Sequence, residues 1–304
     1  MPAFSTHYIF AKELLPWLKD NTDIKISDGM VYLGTQGADI FFFHRVFPWM
    51  LGKSLRKTGS SLHRSKPSEI LESMREYANK TDNKDLALSY ICGFIMHYAL
   101  DRVCHPYVYS LQNKITDGRS FLNPHTVHNK IEFAMDSLLI KNRLKIDNPL
   151  LFNTADTIKL SEKEIHEAGL LLQSVIKSVI GKDICDAATA IRDTEYVQSA
   201  VFDPHAIKRA IISIIDIPIA LATKGYKLSS MLKPKDLEKA KKYANIEKAV
   251  WQSPWSSEKR NESFEELFEI ALPEARQMIL SFLNGDDCRE ITHNISFLTG
   301  VEVK

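Results

Sequence analysis

No hydrophobic run in this 304-residue sequence is long enough to span a bilayer. The longest apolar stretch, "AIISIIDIPIALA" from Ala210 to Ala222, carries Asp216 and Pro218 and falls short of the roughly 20 residues that a spanning helix needs. It reads as a buried helix kinked at the proline. A surplus of one charge is missing too: 39 basic against 38 acidic residues leave a formal net charge of +1. No general field therefore draws in nucleic acid or an anionic membrane, and an anionic substrate must be met by a local site. The four cysteines, Cys92, Cys104, Cys185 and Cys288, form no CxxC pair and fit reduced thiols better than a disulfide framework. The opening "MPAFSTHYIFAKELL" lacks the basic start, uninterrupted apolar core and small-residue cleavage site of a secretory signal, so the expectation is a cytoplasmic protein.

Internal repeats, low-complexity tracts and long Gly/Ser linkers are absent as well, and period-two alternation is scarce. What remains is helical punctuation. Ser161 and Glu164 make a capping box ahead of "IHEAGLLLQSVIKSVI", which Gly181 closes. Asn123-Pro124 opens "HTVHNKIEFAMDSLLIKNRL", and Asp203-Pro204 opens a helix running towards Gly225. A further amphipathic helix runs from an Asn261 cap to Gly285, broken near Pro273. The burst "DIFFFHRVFPWM" after Ala38 reads equally as strand or helix turn. The aromatic loop "WQSPWSS" at 251–257 reads as packed on the core. At 44% hydrophobic the chain can bury a sizeable core. The expectation is one all-α domain over 1–304, with an additional helical part at 146–304.

Histidine is unevenly placed. Seven of ten, His7, His44, His63, His97, His105, His125 and His128, fall in the first 128 residues. In "GFIMHYALDRVCHPY" His97, Asp101 and His105 recur at four-residue intervals, a spacing that puts side chains on one helix face. "HNKIE" repeats the geometry with His128 and Glu132, and Asp136 lies one turn on. A lone HxxxD is commonly a surface pair or a satisfied core histidine. Two such pairs on neighbouring helices, with His105 added, would bury Asp101 near Glu132 at a cost of several kcal/mol per charge unless a cation joined them. Bundle interiors build metal sites in this way, and imidazole with carboxylate favours zinc over calcium or magnesium.

With "STH" at 5–7, "GADIFFF" at 37–43 and "SLH" at 61–63 added, the ordered series resembles the zinc-dependent phospholipase C family. The resemblance covers mainly the first 140 residues. It implies a multi-helix bundle, like that of phospholipase C and P1 nuclease, with the metal site inside its 1–145 part and two to three zinc ions. One ion would take Asp39, His63, His97 and Asp101; a second His105, His128 and Glu132; a third His7 and a bridging Asp101, together with the amine of Pro2 once Met1 is removed. His44 also follows Asp39 closely and could take the place of His63. His125 reads as a helix-terminus residue. Asp136 reads either as an acceptor orienting a ligand histidine or as a solvated helix residue. The resemblance also implies that Asp39 positions or deprotonates the attacking water. Phe41, Phe42, Phe43, Trp49 and Tyr107 would receive acyl chains or belong to the core, core being the better reading for most.

The expected reaction is hydrolysis of a phosphodiester on the diacylglycerol side of a phospholipid, with transient contact at the membrane surface and no nucleic-acid partner. A zinc nuclease is the neighbouring reading, against which Glu132 stands where that branch tends to carry Asp. A non-catalytic helical protein that keeps one structural metal is the third.

Overall fold

A computed structural model describes residues 4–303. Among them thirteen α-helices follow one another: α1 (Phe4–Asp20), α2 (Asp28–Gly34), α3 (Ile40–Phe43), α4 (Arg56–Leu62), α5 (Pro67–Ala78), α6 (Lys84–Thr116), α7 (Pro124–Leu144), α8 (Glu162–Ile180), α9 (Ala187–Val201), α10 (Ile207–Ala222), α11 (Leu237–Lys241), α12 (Phe264–Leu283) and α13 (Cys288–Thr292). The sole sheet among these residues is an antiparallel pair of two-residue strands, β1 (Trp251–Gln252) and β2 (Lys259–Arg260). The fold is all-α. No described helix is long and apolar enough to cross a membrane, and all four cysteines are free.

The 33-residue α6 is the axis of the molecule, and its buried stretch is nearly unbroken from Ser89 to Val108. A helix apolar on all sides must be wrapped, and α1, α2, α5, α7, α8 and α12 pack around it. The α2–α6 crossing is close because Gly93 has no side chain: a Cβ there would lie 2.2 Å from the Val31 carbonyl oxygen. Arg102 of α6 pairs with Glu274 of α12 (Nη2–Oε2 2.6 Å), and Tyr98 donates its hydroxyl to the carbonyls of Thr292 (3.1 Å) and Ile295 (2.8 Å).

The caps form largely as the sequence dictates. Asn123 accepts the N–H groups of His125 and Thr126 with Pro124 at the first helical position. Ser161 and Glu164 close a reciprocal capping box, and Gly181 ends α8 in the left-handed conformation. Glu164 does a second job, accepting the hydroxyl of Ser27 (2.5 Å), which itself caps α2. Each such cap is worth about 1 kcal/mol.

Of the two readings of the burst after Ala38, the helical one holds: a 3-10 turn, Gly37–Asp39, leads into the short α3. Other expectations are corrected. The 261–285 helix is capped by Ser263 in a box with Glu266 and continues through Pro273 without a break. Proline keeps a helical φ, and one lost hydrogen bond is tolerable when packing holds the segment; Pro106 passes through α6 in the same way. Helix α10 starts at Ile207 rather than at Pro204, and the Asp203 carboxylate accepts the N–H groups of Lys208 and Arg209. Above all, α10 is not buried: Asp216 is its one buried residue, while Ile214 and Leu221 are 70% and 84% exposed. It packs principally on the 3-10 turn at Leu228–Met231, so its apolar run has no core to enter.

The aromatic loop divides. Trp251 is buried and sits edge-on to Tyr107 (5.3 Å), while Trp255 packs on Tyr109 (5.1 Å) but is partly exposed. Phe41 and Tyr107 are core, and Trp49 is exposed against Phe47.

Candidate metal centre

Five separate pieces of chain deliver the eight side chains. The four-residue spacing on α6 turns His97, Asp101 and His105 to one face, where all three are fully buried. Helix α1 brings His7 from above, the 37–39 turn brings Asp39, the C-terminal end of α4 brings His63, and α7 brings His128 and Glu132.

The contacts run continuously through the group. His63 Nε2 lies 3.0 Å from Asp39 Oδ1. Asp101 stands among three imidazoles, 3.3 Å from His7 Nε2, 3.4 Å from His97 Nε2 and 3.7 Å from His105 Nδ1. His105 Nε2 is 3.9 Å from Glu132, which is 3.0 Å from His128 Nε2. Three subsets are tight enough to hold an ion: His7, Asp39 and His97; His63, His97 and Asp101; His105, His128 and Glu132. His7 thus groups with Asp39 as well as approaching Asp101. The Pro2 amine lies outside the described residues.

The imidazoles are aimed by their other nitrogens. Nδ1–H of His97 donates to the Thr35 carbonyl (3.1 Å), that of His63 to the Gly59 carbonyl (2.8 Å) and that of His105 to the Phe297 carbonyl (2.5 Å). His128 Nδ1 donates to Gln112 Oε1 (2.8 Å). A proton fixed on Nδ1 leaves the Nε2 lone pair facing inward, the tautomer a metal ligand needs. None of the four acceptors is visible as a motif, because three are backbone carbonyls.

Asp136 plays neither of its expected parts. It is buried and accepts Ser5 N–H (3.0 Å), Thr6 N–H (2.8 Å) and the Thr6 hydroxyl (2.7 Å). A carboxylate on those first-turn donors caps α1 from another helix and so fixes the residue that follows, His7. Burial raises its pKa against the opposing pull of those bonds.

The electrostatics match a cation. Burial holds His97 and His105 well below the usual imidazole range and lowers His128, keeping them neutral. His63 goes the other way: burial opposes it, yet the hydrogen bond and charge of Asp39 raise it. Burial lifts Asp101 above the ordinary carboxylate range. Among the described residues, neither oxygen of Asp101 accepts a well-directed hydrogen bond, and Nε2 of His97 and of His105 has no such partner either. Buried acceptors left this way cost several kcal/mol unless a further group satisfies them, and their mixed N/O chemistry fits zinc.

His44 is placed elsewhere. Its Nδ1 accepts Leu55 N–H (3.0 Å) and its Nε2 lies 3.9 Å from Asp193, so His63 and not His44 stands beside Asp39. His125 is exposed in the first turn of α7.

The family model for zinc-dependent phospholipase C matches residues 6–181, more than half of the 304 residues. The chain belongs to the zinc-dependent phospholipase C family. No curated protein and no solved structure is matched by it. The matched span of this zinc-dependent phospholipase C family member contains all eight candidate ligands, yet Phe297, whose carbonyl aims His105, lies well outside it.

Gly37 brings backbone close to the centre of this zinc-dependent phospholipase C family member. Its φ is +53°, and a Cβ there would lie 2.3 Å from His97 Cδ2 and 2.5 Å from its Nε2. Gly37→Ala is therefore expected to cost about 2 kcal/mol or more through strain and overpacking. Its thermal midpoint should fall, and the same preparation should carry less metal; an unchanged midpoint with full metal content would contradict the approach.

Proposed function

We propose that the protein is a zinc-dependent phosphodiester hydrolase that acts as a phospholipase C, with two to three zinc ions held by His7, Asp39, His63, His97, Asp101, His105, His128 and Glu132. The observation that carries this reading is the set of inward-facing, buried Nε2 atoms and carboxylate oxygens in a chain of this family. When bound, zinc supplies an acidified water and neutralises phosphoryl oxygens during in-line displacement.

The protein's own groups then have distinct tasks. Asp39, in contact with His63 at the edge of the cluster, orients the water and takes its proton as the oxygen bonds to phosphorus. The phosphorus bond to the diacylglycerol oxygen breaks, and that oxygen leaves with the proton that Asp39 took from the water. The carbonyls of Thr35, Gly59 and Phe297 keep His97, His63 and His105 from rotating, so the donors need no rearrangement during the reaction. A near-zero net charge, 39 basic against 38 acidic residues, supports a lipid over a polyanionic nucleic acid.

The test is metal analysis of untagged protein, paired with turnover of phosphatidylcholine, a chromogenic phosphodiester and single-stranded DNA. Two to three zinc per chain with release of diacylglycerol is expected. Absence of bound transition metal would sink the site assignment, and release of nucleotides without diacylglycerol would make the protein a nuclease.

A further inference from the structure

We propose that α10 is an interfacial helix that lays its apolar face on a bilayer containing anionic phospholipid and sets the metal centre beside that surface. Along α10, Ile207, Ile211, Ile214 and Leu221 recur at helical spacing, and all are exposed. Phe121, 72% exposed, adds to this surface at the far end, where Asn123 Nδ2 donates to the Thr223 carbonyl (3.4 Å) and ties the two segments together. An apolar helix face left in the open marks an interaction site.

Charge identifies the occupant. The segment 203–227 holds two carboxylates, and both are consumed internally. Asp203 accepts backbone N–H groups of Lys208 and Arg209. Asp216 is turned inward onto Leu228 N–H (2.6 Å) and the Ser229 hydroxyl. The cations Lys208, Lys224 and Lys227 stay exposed. Lys130 on neighbouring α7 is exposed as well. An apolar face rimmed by cations, with its acids withdrawn, has the composition of a helix lying in an anionic lipid interface. A second copy fits poorly, because a two-fold contact would press one cationic rim on another.

Location supports the same reading. Thr126, in the first turn of α7, accepts Lys227 N–H (2.9 Å) and donates its hydroxyl to the Gly225 carbonyl (3.3 Å). His128, the least buried of the five candidate ligand imidazoles, lies two residues on. A membrane that holds α10 therefore lies close to the end of α7 that carries this side of the centre. The inference extends the proposed lipid substrate to a docking surface, and its test needs no turnover.

The full-length chain is sedimented at low temperature with vesicles of phosphatidylcholine alone, or of phosphatidylcholine mixed with phosphatidylglycerol, beside an Ile214→Glu, Leu221→Glu variant. Both positions are exposed, so the variant should keep the wild-type thermal midpoint and its rate on a soluble short-chain phosphodiester. Binding to mixed vesicles should fall at least about tenfold in the variant, and Lys208→Gln, Lys224→Gln should remove the preference for anionic lipid. Wild-type protein that stays in the supernatant, a variant that sediments equally, or a wild-type dimer that the variant dissociates would each overturn the proposal. Vesicle binding lost in the variant, in a protein with no phosphodiesterase activity, would uphold the docking face while removing the hydrolase reading.

Discussion

Asp101→Asn is expected to leave a folded protein that has lost its bound metal and about a thousandfold of its phosphodiesterase activity, the several kcal/mol of charge stabilisation that metal catalysis supplies. The reasoning is local. Asp101 is fully buried and lies within 3.7 Å of His7, His97 and His105, so its charge is what unites ligands from α1 and two turns of α6. Asparagine has the same shape and no charge. It relieves the desolvation of a buried carboxylate, which is why the variant should fold, and it offers nothing to balance a cation. Circular dichroism, metal analysis and turnover on one preparation decide the matter. Activity within about tenfold of wild type would show that the reaction does not depend on this cluster.

Removing metal with a chelator should lower the thermal midpoint of the wild-type protein by about 6 °C. A ligand present at a thousandfold over its dissociation constant stabilises by about 4 kcal/mol, and each kcal/mol moves a chain of this size by about 1.5 °C. The sign follows from the buried centre: without a cation Asp101 and the facing Nε2 atoms lose their balancing charge, while the unfolded chain returns them to water. Zinc should restore the midpoint and magnesium should not, because imidazole donors suit the first ion and an all-oxygen shell the second. Asp101→Asn provides the control, with a midpoint insensitive to the chelator. A wild-type midpoint equally insensitive would mean that no metal contributes to the fold.

Much of the helical framework is legible because caps are local. Ser161 with Glu164, and Asn123 with Pro124, bind groups two or three residues away, and nothing distant has to be known. Helical spacing makes His97, Asp101, His105, His128 and Glu132 legible as candidate ligands, the family resemblance adds His7, Asp39 and His63, and the fold brings these side chains into three buried groups. The groups that aim them were out of reach. Every residue has a carbonyl, so those of Thr35 and Gly59 carry no signature, and Phe297 is 192 residues from His105. Asp136 was visible as a residue, but its partners at Ser5 and Thr6 were not. The misreading of α10 has a different cause. An apolar run reports what a segment avoids, and it says nothing of whether other chain is on hand to cover it.

The Phe297 carbonyl has a consequence for the order of events in the cell. A ribosome delivers His7 through Glu132 long before it delivers the residue that orients His105, and the Tyr98 hydroxyl waits for Thr292 and Ile295 in the same way. While synthesis is under way, the nascent chain carries every donor atom without the tautomer lock on one of them. The segment that carries Phe297 works as a latch on the face of α6 that presents His105.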